Sequence, residues 1–201
     1  MAIAKIDPET IAALSRALPE FRWQLAWGAI VSAASAAGLI GAVPIPFVDF
    51  APLVAVQGTM VLSIARIYQY EITLERAKEL IVTFGLGFLG RALFQELSKL
   101  GGIPGYVLAA AIAASTTVVM GYASIIWFQK GEKLTSESLQ KMTKDITDIL
   151  LKSFKNLGKS RPSKTALQQA IQNGLENSTF ANQQSDFDQD SLSYPPQTDP
   201  N

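Results

Sequence analysis

The chain contains no cysteine and no histidine. Together these absences exclude thiol nucleophiles, disulfides, the common zinc and haem ligand sets, and every Ser-His or Cys-His catalytic arrangement. Charge is also scarce: Asp, Glu, Lys and Arg make up 17% of the 201 residues, against about 25% in ordinary soluble domains. Acids and bases balance at 17 each, so no net field points to nucleic acid as a partner. No secretory signal is expected, because the first strong apolar run begins after residue 20 and no A-x-A-like processing site stands out. No catalytic residue, cofactor site or metal site is expected, and the chain reads as non-enzymatic.

What is present is apolar and unevenly arranged. Residues 1–134 carry 19 charged side chains, where average usage would place about 33. Twenty-six uncharged residues separate Arg22 from Asp49, 16 more run from Phe50 to Ala65, and 30 separate Lys99 from Lys130. The pattern then reverses. Residues 141–164 hold seven Lys/Arg against Asp145 and Asp148, and residues 165–201 hold five acids and no base.

Helical spacing recurs throughout, and no segment alternates like a strand between hairpin turns. Asp7-Pro8-Glu9 opens an amphipathic N-terminal helix over 1–22, with Ile11, Leu14, Leu18 and Phe21 on one side and Pro19 as a kink. A hydrophobic helical-hairpin region occupies 23–134. Its first helix runs to about Val43, where Pro44-Ile45-Pro46 removes donors and forces extended geometry. Asp49 caps the next helix, which tolerates Pro52 in its first turn and reaches about Tyr68. Pro44, Pro46, Asp49 and Pro52 thus define a hairpin turn. One helix is expected from about Thr73 to Lys99, a break at Gly101–Gly105, and a long uncharged helix to Gln129. A basic amphipathic helix follows within 135–158, opened by Thr135 or Ser136 and closed by Gly158. Residues 159–201 read as a polar, largely disordered acidic tail. The fold class is all-α: helical hairpins forming a hydrophobic bundle, a C-terminal amphipathic helix and the tail.

Two segments are long enough for a bilayer. Leu25–Val43 is 19 residues, about 28 Å of helix, and Tyr106–Phe128 is 23 residues, about 35 Å, against roughly 30 Å of hydrocarbon. Trp23, Trp27, Tyr106, Trp127 and Phe128 lie where interfacial aromatics would stand, with Arg22 and Lys130 just outside. The alternative is a soluble bundle, since both segments are rich in Ala and Gly. Membrane embedding is favoured because 107–126 offers only Ser115, Thr116, Thr117, Tyr122 and Ser124 as polar surface. Basic residues flank the block on both sides, which places both termini in the cytoplasm. Arg91 and Glu96 make 79–98 the arm that fits lipid least. Ala33, Ala37 and Gly41, and likewise Ala109, Ala113, Thr117 and Gly121, recur every fourth residue. Such faces permit close helix packing and self-association.

Short motifs carry little chemistry. Gly85-x-Gly87-x-x-Gly90 matches a dinucleotide fingerprint by letter, yet a helical run precedes it and no acid lies near residue 110. Gly158-Lys159-Ser160 lacks the upstream glycine of a phosphate loop, since Ser153 stands there. Asn177-Ser178-Thr179 is a sequon only by composition. Asp49, Gln57 and Arg66 are the polar residues of the second helix and read as a cap, a buried hydrogen bond and an interface anchor. Glu71, Glu75 and Glu79, with Arg76 and Lys78 beside them, read as a solvated face. Lys141, Lys144, Lys152 and Lys155, opposite Leu139, Met142, Ile146, Ile149, Leu150, Phe154 and Leu157, form a candidate surface for anionic lipid. Packing of that helix back on its own bundle would leave the same lysines in water.

Several separated motifs occur in an order that resembles a known family. They are Pro44-Ile45-Pro46-Phe47-Val48-Asp49, Pro52-Leu53, Gln57, Met60, Ala65-Arg66-Ile67-Tyr68, Ala77-Lys78-Glu79-Leu80, Gly87-Phe88-Leu89-Gly90-Arg91 and Ile103-Pro104-Gly105. Over about 25–130 the chain resembles the bacterial domain of unknown function 697 family. Members are commonly fused behind a small GTPase domain or, as in YcjF-like proteins, described as inner-membrane proteins. The resemblance implies a membrane-linked helical module whose partner is a GTPase, which another protein would supply because no phosphate loop is present here. Three functions stay open: an anchor or regulator embedded in the bilayer, a small helical channel, and a soluble helical interaction module. Ion flux in vesicles singles out the channel, and monodispersity without detergent the soluble module.

Overall fold

The computed structural model describes residues 21–43, 51–83, 86–99, 102–154 and 163–176, which form seven helices and no strand. They are α1 (Arg22–Gly41), α2 (Ala51–Ile67), α3 (Leu74–Thr83), α4 (Leu86–Ser98), α5 (Gly105–Lys130), α6 (Ser136–Phe154) and α7 (Lys164–Glu176). The expected N-terminal helix, the turn residues Pro44, Pro46 and Asp49, the closing Gly158 and the acidic stretch after Glu176 lie outside the described residues.

The bundle is built around α5. Its sequence is apolar on every side, so it must be buried on every side, and residues 110–126 are all buried. Protein supplies that burial: α1, α2, α4 and α6 pack directly on α5, α3 lies on α2, and α7 rests on α1 and α6. Gly41 near the end of α1 approaches Ala109 and Ala113 early in α5, while Trp23 at the start of α1 meets Tyr122 edge-on at 6.3 Å. The two helices are therefore antiparallel. Ile30, Ile64, Met120 and Ile125 are each under 2% exposed, a burial that contributes about 1.5–3 kcal/mol per side chain.

Two expectations change. The single helix over 73–99 is two helices, because α3 packs on α2 while α4 packs on α5. The run containing Gly85 and Gly87 is also poor in helix propensity. The stretch 159–201 is not a tail throughout, since α7 lies within it and buries Leu167, Ala170, Ile171 and Leu175. Ser163 caps this helix by accepting the Ala166 N–H at 3.1 Å.

Local chemistry sets the other boundaries. Thr135 accepts the Ser138 N–H at 3.2 Å and opens α6. Thr73 accepts the Arg76 N–H at 3.2 Å and opens α3. Beside it, hydrogen bonds from its own backbone N–H and from Thr73 hold the Glu75 carboxyl below its ordinary range. That contribution is present above the unfolded-state value and is lost as pH falls through the lower folded value. At the end of α5, Gly131 takes a left-handed φ of 69° and donates to the Trp127 carbonyl at 2.9 Å.

Gln69 takes the same role after α2 with φ 66°, while the Tyr70 N–H reaches the Ala65 carbonyl at 2.8 Å. A side chain in this conformation costs about 1–2 kcal/mol. Gln69→Gly is therefore expected to raise stability by about 1 kcal/mol, read as a higher midpoint of thermal unfolding; a lower midpoint would show that the glutamine side chain itself holds the turn.

The candidate site: a polar belt and an uncharged face

Three consecutive residues at the middle of α5 point to three neighbours. Thr117 accepts a hydrogen bond from Gln57 Nε2 of α2 at 3.1 Å. A Cβ on Gly90 of α4 would stand 3.4 Å from the Thr116 methyl. Ser115 shares a hydroxyl–hydroxyl bond of 2.7 Å with Thr147 of α6. All of these side chains are buried, and the three threonine hydroxyls donate back onto their own helices, which leaves Ser115 as the donor to Thr147. Thr117 donates to the Ala113 carbonyl at 2.8 Å, Thr116 to Ile112 at 2.8 Å, and Thr147 to Thr143 at 2.7 Å. The belt is satisfied within the protein and ties α2 and α6 to one level of α5.

Gln57 is thus the buried hydrogen bond that its sequence position implied, and Arg66 is exposed at the end of α2. Glu71, Glu75 and Glu79 are exposed, with Glu79 paired to Arg76 at 2.9 Å. Pro52 lies exposed in the first turn of α2. Lys141, Lys144 and Lys152 are exposed on α6, and Lys155 lies outside the described residues. Lys144 stands 3.5 Å from Glu96 of α4. The apolar side of α6 is not free: Leu139, Ile146, Leu150, Leu151 and Phe154 are buried, so these lysines face solvent from a helix docked on its own bundle. Trp23 and Phe128 do not form an interfacial belt either. They are 3% and 4% exposed, with Trp23 against Tyr122 and Phe128 against Tyr70.

The small-residue faces are occupied inside the chain. A Cβ at Gly41 would sit 2.7 Å from the Ala109 carbonyl and 2.8 Å from the Ala113 Cβ, and one at Gly121 would overlap the Ile30 Cγ1. Gly90 likewise serves close packing of α4 on α5. Among the described residues no group of three or more Asp or Glu could hold a metal ion.

The periphery has two characters. α3, α4, α6 and α7 expose charged residues, including Glu75, Lys78, Glu96, Lys141, Asp145, Asp148 and Glu176. On α1 and α2 the outward residues between Arg22 and the exposed Arg66 are Gln24, Gly28, Ser32, Ala51, Pro52, Ala55 and Thr59, so no charged side chain stands between those two arginines among the described residues. By length and composition α1 and α5 are the two described helices able to cross a membrane. Their settings differ: 94% of the most apolar window of α5 is buried inside the protein, against 39% for α1. Sequence reasoning overlooked the Ser115–Thr147 pair and α7. The Thr143/Thr147 spacing and the Leu167, Ile171, Leu175 spacing after a capping Ser163 were the available signals.

No curated protein and no solved structure matches the chain. The model of one family, described as a domain of unknown function and designated DUF697, matches residues 9–155, most of the chain and all of α1 to α6. This chain therefore belongs to the DUF697 family.

Proposed function

We propose that this chain is a non-enzymatic helical module that attaches to a bacterial inner membrane through α1 and α2. There it anchors or regulates a partner, a GTPase supplied by another protein, at its charged helices. The observation that carries the reading is the exterior of α1 and α2, uncharged among the described residues between Arg22 at one end and the exposed Arg66 at the other, in a bundle whose remaining outer helices expose charged residues. Lipid tolerates the first surface and rejects the second, because a charge at the bilayer centre costs about 2.5–3.5 kcal/mol per residue.

The attachment is one-sided. Ser115, near the midpoint of α5, is bonded to Thr147 of α6. The exposed Lys144, Asp145 and Asp148 of α6 therefore stand at the level of the middle of α5. A bilayer wrapped around α5 would have to take in those charges. With α6 in place, α1 and α2 are the helices that meet lipid, and α5 owes its apolar surface to the protein around it. The partner class comes from the GTPase association that the family resemblance implies.

Membrane fractionation of the expressed chain, followed by an alkaline carbonate wash, tests the attachment. Retention in the washed pellet until detergent is added is the expected result. A chain found wholly in the cytosolic fraction would overturn it in favour of a soluble module.

A further inference from the structure

We propose that α7 is a detachable cover over α1, and that its release exposes the surface by which the bundle enters a lipid bilayer; the inference rests on the membrane attachment proposed above. Helix α7 is set apart from the rest of the bundle. The family match ends at residue 155, so α1 to α6 fall inside the shared domain and α7 falls beyond it. It rests on α1 and α6, burying Leu167, Ala170, Ile171 and Leu175 and exposing Gln169, Gln172, Asn173 and Glu176. With 13 residues it is at the length where an isolated helix is marginal in water, roughly 12–15 residues, so its helicity depends on what lies beneath it.

What lies beneath it is the C-terminal half of α1. A Cβ on Gly38 would stand 3.4 Å from both Leu167 Cδ2 and Ile171 Cδ1, so the aliphatic ends of α7 close over that glycine. The nearby Ser35 hydroxyl already donates to the Val31 carbonyl at 2.8 Å. The surface under α7 therefore asks for no polar partner, which fits acyl chains. With α7 seated, the exposed residues of α1 are Gln24, Gly28 and Ser32, none of them beyond its middle turn. With α7 lifted, the uncharged surface extends along α1 to Gly38, the residue that Leu167 and Ile171 cover, on a helix long and apolar enough to span a bilayer.

The chain has no cysteine, so a thiol pair can lock α7 selectively. A Cβ on Gly174 would stand 2.9 Å from Ser153 Oγ on α6, matching the separation of about 3 Å between a Cβ and the far sulfur of a disulfide. The full chain carrying Ser153→Cys and Gly174→Cys would be oxidised or reduced and floated with vesicles of phosphatidylglycerol and phosphatidylcholine. The reduced form is expected to bind roughly tenfold more tightly, because locking α7 removes the binding-competent population. A second full-length variant, Leu167→Ser with Ile171→Ser, is expected to float more than the unaltered chain without any redox step. Equal flotation of oxidised and reduced forms, or no gain in the serine variant, would overturn the cover while leaving membrane attachment standing. Absence of flotation in every form would overturn both.

Discussion

Gly121→Leu is expected to cost the bundle about 3 kcal/mol, the upper part of the usual range for overpacking a filled core. Gly121 lies in the buried stretch of α5, and even a single Cβ there would overlap the Ile30 Cγ1 and come within 2.8 Å of its Cδ1 and 3.2 Å of the Met60 sulfur. Leucine gains about 1 kcal/mol of helix propensity over glycine, but four added carbons cannot be placed without moving α1 or α2 off α5. For a domain of this size such a loss lowers the midpoint of thermal unfolding by roughly 6–12 °C. Adding Ile30→Ala should recover part of the loss by vacating the contested volume, a coupling that only touching residues show. Gly28→Ala supplies the control. Nothing lies within 4 Å of its Cβ position, so propensity alone acts and the midpoint should rise. A neutral Gly121→Leu would mean that α1 is not seated on α5 through this glycine.

The second large effect concerns the polar belt. Gln57 is 5% exposed and donates to Thr117, whose own proton is committed to the Ala113 carbonyl. Gln57→Glu puts a carboxylate there with no hydroxyl proton to receive. Burial then raises its pKa by up to 3–5 units, equivalent to about 4–7 kcal/mol of destabilisation at most when the pH lies above the raised value. The sign follows from linkage: the folded value lies above the unfolded value of about 4.3, so the penalty grows as pH rises between the two and vanishes below the unfolded value. Unfolding measured from pH 4 to pH 8 should show the variant near the unaltered chain in acid and far below it at neutrality. Gln57→Met keeps the volume and leaves Thr117 satisfied by Ala113, so it should change stability by under about 1.5 kcal/mol at any pH. A small, pH-independent effect of Gln57→Glu would reveal water at the belt. That result would favour a polar path through the bundle and the channel reading over an anchoring module.

The sequence by itself determined the helical class, most helix boundaries and the family. Those features depend on short-range chemistry: the break at Gly101–Gly105, the Thr135 cap and the amphipathic spacing of 139–154 act within a turn or two of the chain. The close packing implied by the small residues was legible too, because only Gly and Ala permit it. The sequence did not decide what surrounds an apolar helix. Lipid and a shell of neighbouring helices impose the same demand on α5, namely the absence of exposed polar groups, so its composition reads alike in both. Tertiary structure decided between them locally by placing α1, α2, α4 and α6 around α5. It also turned Trp23 inward onto Tyr122 and docked the apolar side of α6 on the bundle, leaving the lysines in solvent. Helix α7 escaped notice for the complementary reason. Leu167, Ile171 and Leu175 form a narrow stripe in a polar stretch, and such a stripe becomes a helix only where α1 and α6 offer a surface to bury it.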